Sequence, residues 1–136
     1  MESREPPATI EELLREARSG LDRLSPVAVE AAVLEGALLI DIRSESQRAR
    51  DGHVPGARFV SRNVLEWRLD PASPHRDREA ARRDLLLVLM CDEGYQSSLA
   101  AATLKRFGLQ ATDMVGGFQA WRSAGLPVET APEEGA

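Results

Sequence analysis

Apolar residues fall in short continuous runs separated by polar segments of helical spacing. The longest run, residues 85–90 (LLLVLM), leads straight into Cys91. A short apolar run bounded by turn residues predicts a strand buried on both faces. Residues 37–42 (ALLIDI) and 111–115 (ATDMV) predict two more strands, and residues 58–60 a shorter one. Helices are predicted between them. Thr9-Ile10-Glu11-Glu12 matches a capping box, with Leu13, Leu14, Ala17 and Leu21 at helical spacing behind it. Ser25-Pro26 restarts a helix that Gly36 ends. Residues 44–50 (SESQRAR) and the amphipathic stretch Val64, Leu65, Leu69, which carries Trp67, predict two short helices. The charged run up to Asp84 predicts a solvated helix on one edge. Residues 97–107 (SSLAAATLKRF) predict a helix with Ser97 or Ser98 as N-cap and Gly108 as stop, and residues 118–123 (FQAWRS) a last one. Strands alternating with helices predict an α/β fold: a mainly parallel sheet covered on both faces.

Composition narrows this to one soluble globular domain. A chain of 136 residues, 43% hydrophobic and 29% charged, can bury a core without staples. The domain is expected over residues 9–128, with the helix of residues 9–21 packing on it. The Pro-, Glu- and Ala-rich ends, residues 1–8 and 129–136, are expected to fray. A single cysteine excludes an internal disulfide, suits a reducing cytoplasm, and has no zinc-ligand spacing around it. No apolar segment is long enough for a membrane span, and the net charge of −5 argues against nucleic acid as a partner. Basic residues are almost all arginine, Lys105 being the lone lysine. That usage reads as genome composition of a GC-rich bacterial kind, in which a functional arginine can hide.

The candidate chemistry follows from the strand ending at Cys91. The cysteine is predicted at the C-terminal end of a central strand, in a loop feeding a helix N-terminus, which is where open α/β sheets place their ligands. Loop N–H groups and the helix's partial positive charge favour a thiolate there.

Three motifs, in order, resemble the single-domain rhodaneses, the rhodanese-like sulfurtransferase family. The first is Leu39-Ile40-Asp41-Ile42-Arg43 followed by Gly52-His53-Val54-Pro55-Gly56-Ala57. The second is Cys91-x-x-Gly94-x-x-Ser97. The third is Gly116-Gly117-Phe118-x-x-Trp121, then Gly125-Leu126-Pro127-Val128. The resemblance implies a rhodanese-like three-layer fold with about five mainly parallel strands. It implies a sulfurtransferase in which Cys91 takes a sulfane sulfur from an organic persulfide, 3-mercaptopyruvate or thiosulfate and hands it to a thiol or cyanide. No metal or organic cofactor is implied. Partners are a small-molecule sulfur donor and a thiol acceptor, a protein persulfide among the candidates, with no nucleic acid and no membrane.

The active-site loop is then Asp92, Glu93, Gly94, Tyr95, Gln96 and Ser97. It departs from the family in its charge: Gln96 stands where an arginine is frequent, beside two acids. Two carboxylates next to the nucleophile disfavour a thiolate and repel a dianion, so a neutral or larger persulfide is the expected donor rather than thiosulfate. Arg62, in the segment after the GHVPGA turn, is a candidate for the missing positive charge. Arg43 is a second candidate for the pocket wall, against the simpler reading of an ion pair with Asp41. Two other functions compete. One is a non-catalytic rhodanese-like binding module. The other is a cysteine phosphatase or arsenate reductase, which needs an arginine six positions after the cysteine, where Ser97 stands.

Overall fold

The computed structural model describes residues 6–130. Helix α1 spans Ile10–Ser19, α2 Pro26–Leu34, α3 Glu45–Asp51, α4 Leu65–Leu69, α5 Gln96–Lys105 and α6 Gly117–Ser123, with a 3-10 turn at Arg62–Val64 before α4. The strands are β1 Leu38–Asp41, β2 Arg58–Phe59, β3 Leu86–Met90 and β4 Gln110–Asp113. They form one parallel sheet in the order β2-β1-β3-β4. The chain therefore runs outward from β1 to β2, then crosses back to pair β3 on the other side of β1. The crevice beyond the C-terminal ends of β1 and β3 is the switch point where such folds bind ligands. Beyond β4 the sheet is extended only by a one-residue parallel bridge between Leu24 and Met114. Four strands and this bridge stand where about five strands were expected.

Alternation along β3 divides the core. Leu87, Leu89 and Cys91 face one cluster with Ile40, Ile42, Leu65, Leu69, Ala100 and Leu104. Val88 and Met90 face the other, with Val29, Leu39, Phe118 and Trp121. Helices α4 and α5 thus cover one face, and α2 and α6 the other. Leu87, Val88 and Leu89 are fully buried, each contributing about 1.5–3 kcal/mol of transfer free energy. Helix α1 buries no residue and lies against α5 as an outer layer.

The helix starts follow their caps. Thr9, Ser25 and Ser44 each accept a backbone N–H from inside their helix, and Ser44 with Gln47 completes a capping box. Two expectations are corrected. The charged run before Asp84 forms turns, not a helix. The Asp77 carboxylate captures the Glu79 N–H and the Arg58 guanidinium, and this local bonding competes with helical pairing. Glu129 is not frayed: it forms an antiparallel bridge with His53, each backbone N–H donating to the other's carbonyl at 2.8 Å. Residues 1–5 and 131–136, the rest of the expected frayed ends save Pro6 to Ala8 and Thr130, lie outside the described residues. Trp67 is 59% exposed on α4. No helix among the described residues is long and apolar enough to cross a membrane.

Candidate active site

Cys91 lies one residue beyond β3, on the face that α5 covers, and is 3% exposed. It lines an open cup of about 320 Å³ together with Asp92, Glu93, Tyr95 and Gln96. The Gly94 N–H donates to Sγ at 3.1 Å. The N–H groups of Glu93, Tyr95, Gln96 and Ser97 take no acceptor among the described residues. A loop of unpaired donors around a sulfur atom is an anion cradle.

The curl needs two glycines. Gly94 has φ +88, and a Cβ there would meet the Gly116 nitrogen at 2.7 Å. Gly117 has φ +62, and a Cβ there would lie 2.5 Å from the Cys91 carbonyl oxygen. The approach at Gly117 lets Phe118 N–H donate to Cys91 O and Gln119 N–H to Asp92 O. The N-terminal end of α6 thereby pins the start of the cysteine loop.

Under the loop lies a buried polar network. Ser97 Oγ and Ser98 Oγ donate to Asp113 Oδ2 at 2.8 and 2.7 Å. The Cys91 thiol lies 3.3 Å from Ser97 Oγ and donates to it. Arg23 grips Asp113 with two nitrogens, Nε to Oδ1 at 2.9 Å and Nη2 to Oδ2 at 3.2 Å. Arg23 Nη2 and Arg18 Nη2 both donate to the Gly94 carbonyl at 2.9 Å, and Arg18 Nε donates to Ser98 Oγ at 3.0 Å. A carboxylate with no exposure, such as Asp113, is tolerable only when paired and hydrogen-bonded in this way.

The two serines are therefore not caps. Helix α5 starts at Gln96, with Tyr95 in the cap position and no side-chain cap bond. Ser97 and Ser98 sit inside the first turn, where their hydroxyls donate to the buried carboxylate and accept from the Cys91 thiol and Arg18 respectively. The two candidate arginines are engaged elsewhere. Arg43 is fully buried. It donates to Asp41 Oδ1 and Oδ2 and to Gly52 O, and stacks 3.8 Å from the Phe118 ring centroid. The ion-pair reading of Asp41 and Arg43 is the observed one. Arg62 pairs with Glu66 one helical turn away, at 2.9 Å, and does not line the cup.

The mouth is acidic. Glu93 is exposed, and Asp92 accepts from Gln119 Nε2 at 2.9 Å. The same Nε2 reaches Asp51, whose carboxyl is held below the usual carboxylate range, chiefly by the hydrogen bond from Arg50. Tyr95 is 58% exposed at the rim. Sequence reasoning missed Arg18, Arg23 and Asp113. The signal available for Asp113 was an acid inside the apolar strand ATDMV, which demands a cation; nothing in the sequence singled out the two arginines.

The rhodanese-like domain family model matches residues 25–124. Two curated relatives are thiosulfate sulfurtransferases GlpE. The one from Ectopseudomonas mendocina is 34% identical over 114 residues, covering 83% of this chain and 94% of the relative. The one from Pseudomonas fluorescens is 33% identical over the same length and coverage. Among solved structures, a Rhodopseudomonas palustris protein of unknown function, described as a possible tyrosine phosphatase, is 33% identical with a TM-score of 0.83. That match covers 95% of this chain and 100% of that one. A thiosulfate sulfurtransferase from Pseudomonas aeruginosa is 26% identical with a TM-score of 0.66, covering 82% of this chain and 20% of that one.

Proposed function

The chain belongs to the rhodanese-like domain family, and on that premise we propose that it is a sulfurtransferase working through a persulfide on Cys91. The observation that carries the reading is a cysteine lining a cup within a loop whose other N–H groups are unpaired, with Gly94 N–H already donating to its sulfur. In the first half-reaction the Cys91 thiolate attacks the outer, sulfane sulfur of the donor. A new S–S bond forms, the donor's S–S bond breaks, and the donor's remaining sulfur leaves with the electron pair. In the second, an acceptor thiolate attacks the terminal sulfur of the Cys91 persulfide and releases the Cys91 thiolate. Splitting the transfer in two is covalent catalysis, and the loop donors hold the negative charge of the thiolate and then of the terminal sulfur. No metal or cofactor enters these steps.

The donor we propose is an organic persulfide rather than thiosulfate. Asp92 and Glu93 at the mouth repel a dianion, and the exposed Tyr95 ring offers a surface for an organic group. The acceptor is a small thiol, and the lone free cysteine fits a reducing cytoplasm.

A phosphatase reading of the kind attached to the Rhodopseudomonas palustris relative finds no support in the loop. A tetrahedral oxyanion needs a guanidinium inside the cup, but Ser97 holds that position, and Arg18 and Arg23 grip the loop from behind.

The test is intact-protein mass spectrometry after brief incubation with thiosulfate, 3-mercaptopyruvate or glutathione persulfide, with Cys91→Ser as control. The expected result is the mass of one added sulfur on the wild type alone, removed by thiol, and formed fastest from glutathione persulfide. A thiosulfate rate well above the glutathione persulfide rate would overturn the donor preference. No adduct from any donor, on reduced and folded protein, would leave a binding module as the function.

A further inference from the structure

We propose that Arg18 and Arg23 form a cationic clamp on the back of the cysteine loop that activates Cys91, replacing the basic residue the loop itself lacks. The inference rests on Cys91 being the reactive thiol. Both arginines precede residue 25, where the family match begins, so they come from the chain's own N-terminal segment.

The geometry is that of one peptide plane. Both guanidinium groups donate to Gly94 O at 2.9 Å. That carbonyl belongs to the peptide whose N–H is Tyr95's. A trans peptide is planar, with C=O and N–H pointing in opposite directions, and no described peptide bond is cis. Holding the carbonyl toward the arginines therefore turns the Tyr95 N–H away from them, to the side where the cup lies. That N–H has no acceptor among the described residues. Two cations on the carbonyl also polarise the amide and strengthen its N–H as a donor. Next to it, the Gly94 N–H is on the sulfur. The clamp thus sets two successive donors for an anionic sulfur.

The charges do not cancel. The charged groups around the loop are Arg18 from α1, Arg23 from the segment after it, Asp113 from β4, Asp92 and Glu93 in the loop itself, and, at the mouth, Asp51 of α3 paired with Arg50 and Arg122. Asp113 neutralises Arg23 through two contacts. Arg18 has no carboxylate partner within 4.0 Å among the described residues, and its guanidinium carbon lies 5.8 Å from the Tyr95 ring centroid. It is the surplus cation beneath the loop, opposing the loop's own two carboxylates. Arg18 and Arg23 are positioning residues, since neither lines the cup.

Arg23 is the poorer target for mutation, because removing it strands buried Asp113. Arg18 is the informative one. The measurement is the rate of Cys91 alkylation by iodoacetamide from pH 6 to 10 for wild type, Arg18→Gln and Arg18→Lys, with the thermal midpoint of each. Arg18→Gln is expected to alkylate about threefold to fivefold more slowly at pH 7, the effect of one partly screened charge. It should reach the wild-type rate at high pH, where the thiol is ionised in both. Arg18→Lys should restore most of the neutral-pH rate. Equal rates for wild type and Arg18→Gln across the range, with only a lower thermal midpoint, would overturn the clamp and leave Arg18 a structural tie. Alkylation needs no sulfur donor, so a failure of sulfur transfer is read separately. Slow alkylation of the wild type itself would count against Cys91 as a nucleophile.

Discussion

Cys91 sits over a chain of side chains in which each hydroxyl has a defined role. Ser98 Oγ accepts from Arg18 and so gives its proton to Asp113; Ser97 gives its own to Asp113 and accepts from the thiol. Asp113 is the hub, and removing its charge orphans two serines and a guanidinium in a buried site. Asp113→Ala is expected to lose about 3–5 kcal/mol of unfolding free energy, measured by urea titration. Ser97→Ala removes one acceptor and one donor but leaves the arginine pair intact, so its stability loss should stay near ~1 kcal/mol. At Gly117 the constraint is steric. Gly117→Ala adds a Cβ 2.5 Å from Cys91 O at a positive φ, so backbone has to move. A loss of about 2 kcal/mol or more and a marked slowing of sulfur loading are expected.

Single helices are held by local chemistry as well as by packing. The capping box of α3 joins Ser44 and Gln47, and neither residue lines the cup. Ser44→Ala is expected to lower stability by about 1 kcal/mol in a denaturant titration while leaving the sulfur-loading rate of Cys91 unchanged. Helix α5 behaves differently. It has no side-chain cap, and its first-turn serines are committed to Asp113. Its start is set by the network beneath it, which joins α5, β4, α1 and the cysteine loop into one unit.

For the whole molecule, surface ion pairs contribute little at neutral pH and show themselves in acid. The hydrogen bond from Arg82 holds the Asp84 carboxyl below its ordinary value. A folded-state value below the unfolded one means that the unfolded chain binds more protons as pH falls, so this contribution is complete above about pH 4 and is lost below it. The thermal midpoint should therefore fall below pH 4, and slightly less steeply in Asp84→Asn, because an exposed pair is largely screened.

Strands, the caps of α1, α2 and α3, and the place of Cys91 after a buried strand were legible in the sequence because each rests on short-range physics. The run LLLVLM has to be buried whatever surrounds it, Ser44 and Gln47 cap their own helix, and a strand that ends in Cys91-x-x-Gly94 puts the sulfur at the C-terminal end of a central strand. The charged run before Asp84 was misread because Asp77 gave its backbone a better local partner than a helix, with Arg58 bonding the same carboxylate from β2. The source of positive charge was misassigned for the same kind of reason. Arg43 and Arg62 are close in sequence to motif residues, but each found a nearer carboxylate, Asp41 and Glu66. Arg18 and Arg23 lie more than 70 positions from Gly94, and the packing of α1 against α5 and the pairing of Leu24 with Met114 bring them under the loop. The sequence by itself determined where the one thiol stands, directly after the strand of residues 85–90. The tertiary structure alone decided which cations face it, because charge acts through space and is indifferent to chain order.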